Sequence, residues 1–254
     1  MNLETIQIHL NSADADSYNN NSTSDCNFIL PVIELPSQHQ ILLSVQSAVI
    51  PYSFYGIDST NNTLTFSTNY STITNYITIQ PGNYNAIQLA TYLSANLPNF
   101  TVSYLPIQNK FVFSSTFANF VFHPESSTCF SLLGFTNDVL YSTGFNYSLT
   151  SYKCVNLLPK QAICISSNLL TGNINHSNLA EGNILCSIPV QSNPYSLITY
   201  SNQNNFKTNL YSNNLSHINI KLYDQNNNLL DLNGCNFSLT LQLEVIKFVD
   251  ESTF

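Results

Sequence analysis

The last long stretch of the chain, residues 217–248, alternates apolar and polar side chains in two separate runs. In the first run, Ile218, Ile220 and Leu222 alternate with polar or amphipathic residues. In the second run, apolar residues occupy every other position from Phe237 to Val245. A period of two places these apolar side chains on one face of an extended strand. The pattern therefore predicts two long strands, each with one buried face and one face towards water.

A connector rich in Asp, Asn and Gly, residues 224–234, separates the two runs. These residue types tolerate turn conformations, so the simplest prediction joins the two strands as a hairpin within one sheet. One sheet alone would leave its apolar face uncovered. The rest of the chain must therefore supply a second sheet that packs against it.

Further strands are predicted from short alternating or apolar runs that are separated by polar loops. They cover residues 5–10, 28–35, 41–50, 63–67, 76–79, 102–105, 110–114, 120–122, 162–166, 184–190 and 197–201. Residues 11–25 are expected to form a long mobile loop, and residues 171–183 a second polar loop. Many short strands favour an all-β fold, an antiparallel β-sandwich of the jelly-roll type, over an alternating α/β fold.

One amphipathic helix is predicted in the middle of the chain. Apolar residues recur at helical spacing from Ala86 to Leu97, Pro98 ends the pattern, and Asn83 is the expected N-cap. A shorter helical turn is expected at residues 129–135. Since no linker or internal repeat is visible, we predict a single jelly-roll domain over residues 1–254. A small β/α subdomain containing the helix is inserted in it at about residues 55–150.

The composition limits the kinds of partner that the chain can bind. Charged residues make up 8% of the chain, the net charge is −8, and all six cations are widely spaced lysines. Nucleic-acid binding requires clustered cations, usually with arginine among them, so we expect no direct nucleic-acid partner. A surface with few charges is suited to being covered by protein partners. Enrichment in Asn, Ile and Tyr also follows from an AT-rich genome, and both explanations stay open.

Motifs for catalysis or metal binding are missing from the sequence. It has no G-x-S-x-G elbow, no H-E-x-x-H motif and no P-loop. Residues 224–228 begin like a calcium loop, but Leu229 replaces the required glycine and Cys235 the required glutamate. We therefore expect an Asx-stabilised turn at residues 224–228. We predict that the chain is not an enzyme, and that it has no metal, no cofactor and no small-molecule substrate.

Cysteine spacing and hydropathy bear on the cellular compartment. The six cysteines show no C-x-x-C spacing, and residues 1–10 include no basic-then-apolar segment. These features predict reduced, mostly buried thiols in a protein made in the cytosol. No apolar run approaches the roughly 18 residues of a membrane helix, so no membrane-spanning segment is expected.

Two short segments are candidate subunit contacts. Residues 51–57 concentrate Tyr52, Phe54 and Tyr55 in a non-periodic loop. Aromatic side chains carry much interface energy, and the alternative is a loop packed back onto the sandwich. Beyond Val245 the alternation slips, so that Ile246 and Phe248 fall on the otherwise polar face of the strand. We expect these two side chains to meet another subunit or a neighbouring element.

Six segments follow one another in a fixed order along the chain. They are S-A-V-I-P-Y-S-F-Y-G-I (47–57), I-T-I-Q-P-G-N-Y-N-A-I-Q-L-A-T-Y-L (77–93), N-K-F-V-F-S-S (109–115), L-L-G-F (132–135), I-L-C-S-I-P-V (184–190) and L-D-L-N-G-C-N-F-S-L-T-L (230–241). Together they resemble the jelly-roll minor capsid proteins, including the penton type, of large eukaryotic DNA viruses and of virophages. The match departs at Asn236, where a larger aromatic residue such as Trp is expected.

The resemblance implies a jelly-roll protein of an icosahedral shell, which forms a homopentamer at the fivefold vertex and contacts the major capsid protein. It implies location in the virion after assembly in the host cytoplasm. Two alternatives stay open: a cement protein beneath the major shell, and a carbohydrate-binding attachment sandwich, which the Tyr- and Asn-rich loops suit. In a jelly roll the last strand lies beside the first, so residues 237–245 are expected next to residues 6–10.

Overall fold

The chain folds into two compact units in the computed structural model. Unit 1 comprises Met1–Phe54 and Lys160–Phe254, and unit 2 comprises Tyr55–Pro159. Each unit has a hydrophobic core of its own. The structure describes residues 3–34, 40–69, 73–136, 138, 140–141, 147–169, 183–211 and 214–246.

The described residues form antiparallel strands and two α-helices. The strands are β1 (Leu3–Asn11), β2 (Ser17–Tyr18), β3 (Asp25–Glu34), β4 (Gln40–Pro51), β5 (Thr63–Thr68), β6 (Asn75–Thr78), β7 (Phe100–Leu105), β8 (Lys110–Ser115), β9 (Phe120–Phe122), β10 (Leu140–Tyr141), β11 (Ser148–Thr150), β12 (Ala162–Ser167), β13 (Ile184–Pro189), β14 (Leu197–Ser201), β15 (Thr208–Asn209), β16 (Asn214–Asp224) and β17 (Ser238–Ile246). The helices are α1 (Ala86–Asn96) and α2 (Phe130–Leu133).

Unit 1 is an antiparallel β-sandwich with jelly-roll strand order. One sheet has the order β1-β17-β4-β14, with the short β15 beside β4, and the other has the order β13-β12-β16-β3-β2. The eight longer strands of this unit can be counted one to eight along the chain. The sheets then read 1-8-3-6 and 2-7-4-5, which is the pairing of a jelly roll. The predicted fold class is therefore confirmed.

The last strand lies beside the first, as expected. β17 pairs along its whole length with β1, so that Ile6 lies opposite Leu243 and Leu10 opposite Leu239. On its other side β17 pairs with β4. The alternating apolar residues of β17, such as Leu241 and Leu243, are completely buried in the core between the sheets.

The predicted hairpin between the last two long strands is wrong. β16 pairs with β3 and β12, in the sheet opposite the one that contains β17. The segment between β16 and β17 carries the side chains of Leu230, Leu232 and Phe237, which are buried in the core of unit 1, and it connects one sheet to the other. Alternation specifies which face of a strand is buried, and two strands that face each other across a core satisfy it as well as two neighbours do.

The segment expected to be a mobile loop, residues 11–25, is held by its own polar side chains. Two short 3₁₀ turns flank β2 there. The side chain of Asn11 accepts a hydrogen bond from the amide of Ala13 at 3.1 Å, and the Asp16 carboxylate accepts one from the amide of Ile29 at 2.6 Å. The other expected loop, residues 171–183, lies outside the described residues except for Asn183.

Unit 2 packs two small sheets and the two helices around a core of phenylalanine rings. The sheets have the orders β10-β9-β5-β6 and β11-β8-β7, and α1 packs against β7. Ring pairs such as Phe113 and Phe122, with centroids 5.0 Å apart at an interplanar angle of 88°, meet edge to face. The buried rings are Phe66, Phe100, Phe111, Phe113, Phe120, Phe122, Phe130 and Phe135.

Helix α1 begins two residues later than the predicted N-cap implies. Its N-cap is Asn85, whose side chain accepts a hydrogen bond from the amide of Gln88 at 2.8 Å. The Gln88 side chain accepts one in return from the amide of Asn85 at 3.0 Å, which completes a capping box. Asn83 instead accepts a hydrogen bond from the amide of Gly56 at 2.7 Å, and so fixes a loop of the same unit.

Candidate functional site

Two of the predicted interface residues, Tyr52 and Phe54, lie in the core of unit 1. Their side chains are 2% and 0% exposed, and their rings stack with centroids 4.3 Å apart. The ammonium group of Lys160 lies 5.9 Å from the centre of the Phe54 ring. Burial raises the pKa of the Tyr52 hydroxyl. These two rings have no free surface for a subunit contact, and the alternative of a loop packed back onto the sandwich describes them.

The other three predicted interface residues differ from one another in exposure. Tyr55, the first residue of unit 2, is half-buried, and its role in a contact stays a prediction. Ile246 ends β17 and is 9% exposed, with Leu3 opposite it on β1 and Gln40 on β4. It therefore meets neighbouring strands of its own chain. Phe248 lies outside the described residues.

A chain of polar groups in unit 2 has the connectivity of a catalytic triad. The Ser67 hydroxyl lies 3.0 Å from Nε2 of His123, and Nδ1 of His123 lies 3.2 Å from the Glu125 carboxylate. A nucleophile must reach a substrate, but Ser67 is 3% exposed, near the end of β5. In this position the three residues fasten β5 to the segment that follows β9.

In the turn at residues 224–228, the Asp224 carboxylate accepts hydrogen bonds from residues of the turn itself. One oxygen of Asp224 accepts hydrogen bonds from the amides of Asn226 and Asn228, at 2.9 and 2.8 Å. The other accepts one from the Asn228 side chain at 3.0 Å. This is the expected Asx turn. Within the described ranges, His, Cys, Asp and Glu side chains do not gather in groups of three or more that could hold a metal ion.

The six cysteine thiols are free, and half of them, Cys26, Cys129 and Cys164, are buried. Burial raises the pKa of Cys26, Cys129 and Cys186 to about 12, so these thiols stay protonated and unreactive at neutral pH. Cys154 and Cys235 are exposed. Among the residues that the structure describes, no helix is long and apolar enough to cross a membrane.

Most of the lysines that the structure describes have partners inside unit 1. Lys207 pairs with Glu244 at 2.7 Å, Lys221 lies 3.6 Å from Asp25, and Lys160 lies over the Phe54 ring. The remaining two, Lys110 and Lys153, belong to unit 2 and take part in none of the ion pairs found among the described residues. These two lysines are therefore the cations that the described surface offers to a partner.

Lys110 begins β8 at the tip of the β7–β8 hairpin, and Lys153 belongs to a segment beside that tip. We call the tip surface the set Pro106, Ile107, Lys110, Tyr152 and Lys153. Residues 152–155 lie against the hairpin turn, because Val155 and Asn109 exchange hydrogen bonds of 2.8 and 3.1 Å. Ile107 is 99% exposed and Tyr152 is 56% exposed. This surface is not among the contacts predicted from the sequence, although an isoleucine among turn residues, P-I-Q-N, is a usable signal.

Unit 1 has an open cleft of about 480 Å³ beside the end of β1 and the start of β17. Its charged side chains are Asp14 and Asp16, and His9 also lines it, with Nδ1 3.0 Å from the Thr240 hydroxyl. Ile29, which is 68% exposed, gives the cleft an apolar wall. The cleft is thus acidic and partly apolar.

Comparison with solved structures gives an informative likeness, whereas the two sequence comparisons give none. No protein-family model and no curated protein matches the sequence. Among solved structures, the fold matches the mavirus penton protein with a TM-score of 0.53 and 15% sequence identity, over 96% of this chain and 100% of that one. The chain therefore shares the fold of a penton protein over 96% of its length.

Proposed function

We propose that this chain is a structural capsid component, and that it is the penton protein of the fivefold vertex of an icosahedral particle. The observation that carries the proposal is the match to the mavirus penton protein over 96% of this chain and 100% of that one. The jelly-roll order of unit 1 is in keeping with it, because this architecture recurs in viral capsid proteins.

The surface of the chain supports a role in assembly. Large apolar side chains are exposed across unit 2, and only five of its 105 residues are charged: Asp58, Lys110, Glu125, Asp138 and Lys153. Exposed apolar surface with few charges is typical of surfaces that other proteins cover. The proposed partners are further copies of the chain, as a homopentamer, and the major capsid protein.

The chemistry of the described residues is in keeping with a role without catalysis or genome binding. Ser67 is inaccessible, the Asp224 carboxylate is occupied by its own turn, and three of the lysines have partners within unit 1. The proposal therefore includes no enzymatic activity, no cofactor and no direct contact with nucleic acid. It places the protein in the virion, after assembly in the host cytoplasm.

Mass and symmetry test the proposal. Five copies of the 28.4 kDa chain weigh about 142 kDa, and light scattering coupled to size exclusion should find this species. Electron microscopy of it should show rings with fivefold symmetry. A cement protein would instead remain small on its own and co-purify with major capsid protein. A strict monomer that neither binds capsid proteins nor occurs in particles would reject the proposal.

A further inference from the structure

We propose that one copy of this chain binds the next by placing its tip surface in the acidic cleft of unit 1 of the neighbouring copy. The inference rests on the proposed function, because it names the contact through which a ring would close. Since the tip surface and the cleft are different surfaces, the contact is heterologous. Repetition of a heterologous contact generates a ring when the rotation closes.

The tip surface has the composition of a surface that is covered in an assembly. Ile107 is 99% exposed and Tyr152 is 56% exposed. Burial of such side chains in a partner removes apolar area from water. Lys110 and Lys153 flank them and are the only cations of unit 2. An acidic partner with some apolar surface fits this combination.

The cleft of unit 1 offers the complementary chemistry. Both of its formally charged side chains, Asp14 and Asp16, are acidic, and both belong to exposed residues. Ile29 and Val49 line it and are 68% and 37% exposed, so they provide apolar contact for Ile107. A cleft of about 480 Å³ has room for an isoleucine side chain and its flanking residues.

Charge complementarity favours a second copy over other occupants. A lipid surface would cover the tip surface and leave the acidic cleft open, whereas a second copy covers both. Unit 2 carries two lysines and three acidic residues, and unit 1 carries the other −7 of the net charge of −8. Lysines at the tip surface therefore meet the more acidic unit of the neighbouring copy, and attraction of this kind steers association.

Charge reversal tests the contact in the intact chain. Asp14→Lys in the cleft and Lys153→Asp at the tip should each weaken association at least about tenfold, measured by sedimentation equilibrium. The double variant, which restores opposite charges, should recover most of this loss. Glu4→Lys, a reversal at an exposed residue outside the cleft, serves as the matched control and should leave association within about twofold of the parent.

Cross-linking tests the geometry of the contact. Ile29→Cys and Ile107→Cys are placed in separate chains in which the exposed Cys154 and Cys235 are changed to serine. Mild oxidation of the mixture should give a disulfide-linked dimer between the two chains, and each variant alone should stay monomeric on a non-reducing gel. Tyr76→Cys in place of Ile107→Cys is the control, since Tyr76 is similarly exposed elsewhere in unit 2.

The outcomes separate this inference from the proposed function. Fivefold rings that persist unchanged in Asp14→Lys and Lys153→Asp, without cross-linking, would overturn the contact and leave the penton proposal standing. The contact would also be overturned if these variants associated like the parent but no longer bound vesicles of phosphatidylcholine and phosphatidylserine. That result would identify a lipid surface as the occupant of the tip surface. A parent chain that never associates rejects the contact, while its presence in particles still decides the capsid role.

Discussion

Glu244 is a buried carboxylate on a sheet face that the alternating pattern predicts to be polar and exposed. Lys207 donates a hydrogen bond to one of its oxygens at 2.7 Å, and the Gln242 side chain donates to the other at 2.8 Å. The hydrogen bond from Lys207 is the largest cause that holds the pKa of Glu244 below its usual value of 4.5. A buried charge is tolerated when it is paired and hydrogen-bonded in this way.

We expect Glu244→Gln to lower the free energy of unfolding by about 1–3 kcal/mol at neutral pH, because it leaves Lys207 without its charged partner. The pKa of Glu244 is depressed in the folded state. Its contribution is therefore present above the usual pKa of a glutamate and is lost as pH falls through the lowered folded value. Urea unfolding should accordingly show the variant and the parent converging at acid pH.

Glu4→Gln is the control for this prediction, because it makes the same chemical change at an exposed carboxylate. It should alter the unfolding midpoint little at any pH. A Glu244→Gln variant that matches the parent at neutral pH would show that the ion pair contributes nothing to stability.

Gly134 ends helix α2 with φ of +80°, a left-handed conformation that favours glycine. A Cβ at this position would collide with the backbone oxygen of Lys153. We expect Gly134→Ala to cost more than about 2 kcal/mol, since strain and collision add. Gly234 has φ of +77° with nothing within 4 Å, so Gly234→Ala isolates the strain alone. Thermal unfolding should show the smaller shift for Gly234→Ala, and equal shifts would contradict the collision.

Helix α1 depends on the capping box between Asn85 and Gln88. We expect Asn85→Ala to lower stability by about 1 kcal/mol, because it leaves an amide of the first turn without its acceptor. Asn85→Asp keeps an acceptor oxygen and should restore most of the loss. Both variants can be compared by urea unfolding with circular dichroism, and an Asn85→Ala variant as stable as the parent would argue against the capping role.

The start of α1 shows how far local sequence patterns reach. Helical spacing identified the helix and its buried residues, such as Leu89 and Leu93, because the period of 3.6 is a local property. The segment P-G-N-Y-N-A offers two asparagines as N-caps. The choice between them depends on Asn83, which is engaged by Gly56, 27 residues earlier in the chain. A long-range hydrogen bond of this kind leaves no mark on the local pattern.

The candidate assembly residues were only partly predictable for a related reason. Tyr52 and Phe54 were predicted as contacts because they are aromatic and lie outside any periodic run, yet they are core residues. An aromatic residue type indicates that burial of the side chain is favourable. It does not indicate whether the chain's own core or a partner protein buries it. Ile107 shows the opposite outcome: it is apolar but exposed, because it lies at the tip of a hairpin.

The molecule as a whole has few charged residues, and most of its net negative charge belongs to unit 1. With 8% charged residues, repulsion between copies depends on few carboxylates. We expect a solubility minimum near pH 4.8, the sequence pI, where the net charge vanishes. Turbidity measured across the pH range should peak there and decline on either side. Turbidity that is independent of pH would show that surface charge does not control solubility.

By itself, the sequence determined where the long strands lie and which of their faces are buried. Alternation in β1 and β17 placed Ile6, Ile8, Leu239 and Leu241 towards a core, and the structure buries or half-buries each of them. Only the tertiary structure decided the sheet to which each strand belongs. β16 and β17 have the same pattern and follow one another, yet they lie in opposite sheets. Side-chain periodicity records the direction of burial, whereas strand partners are chosen by backbone hydrogen bonds, which every residue type except proline offers equally.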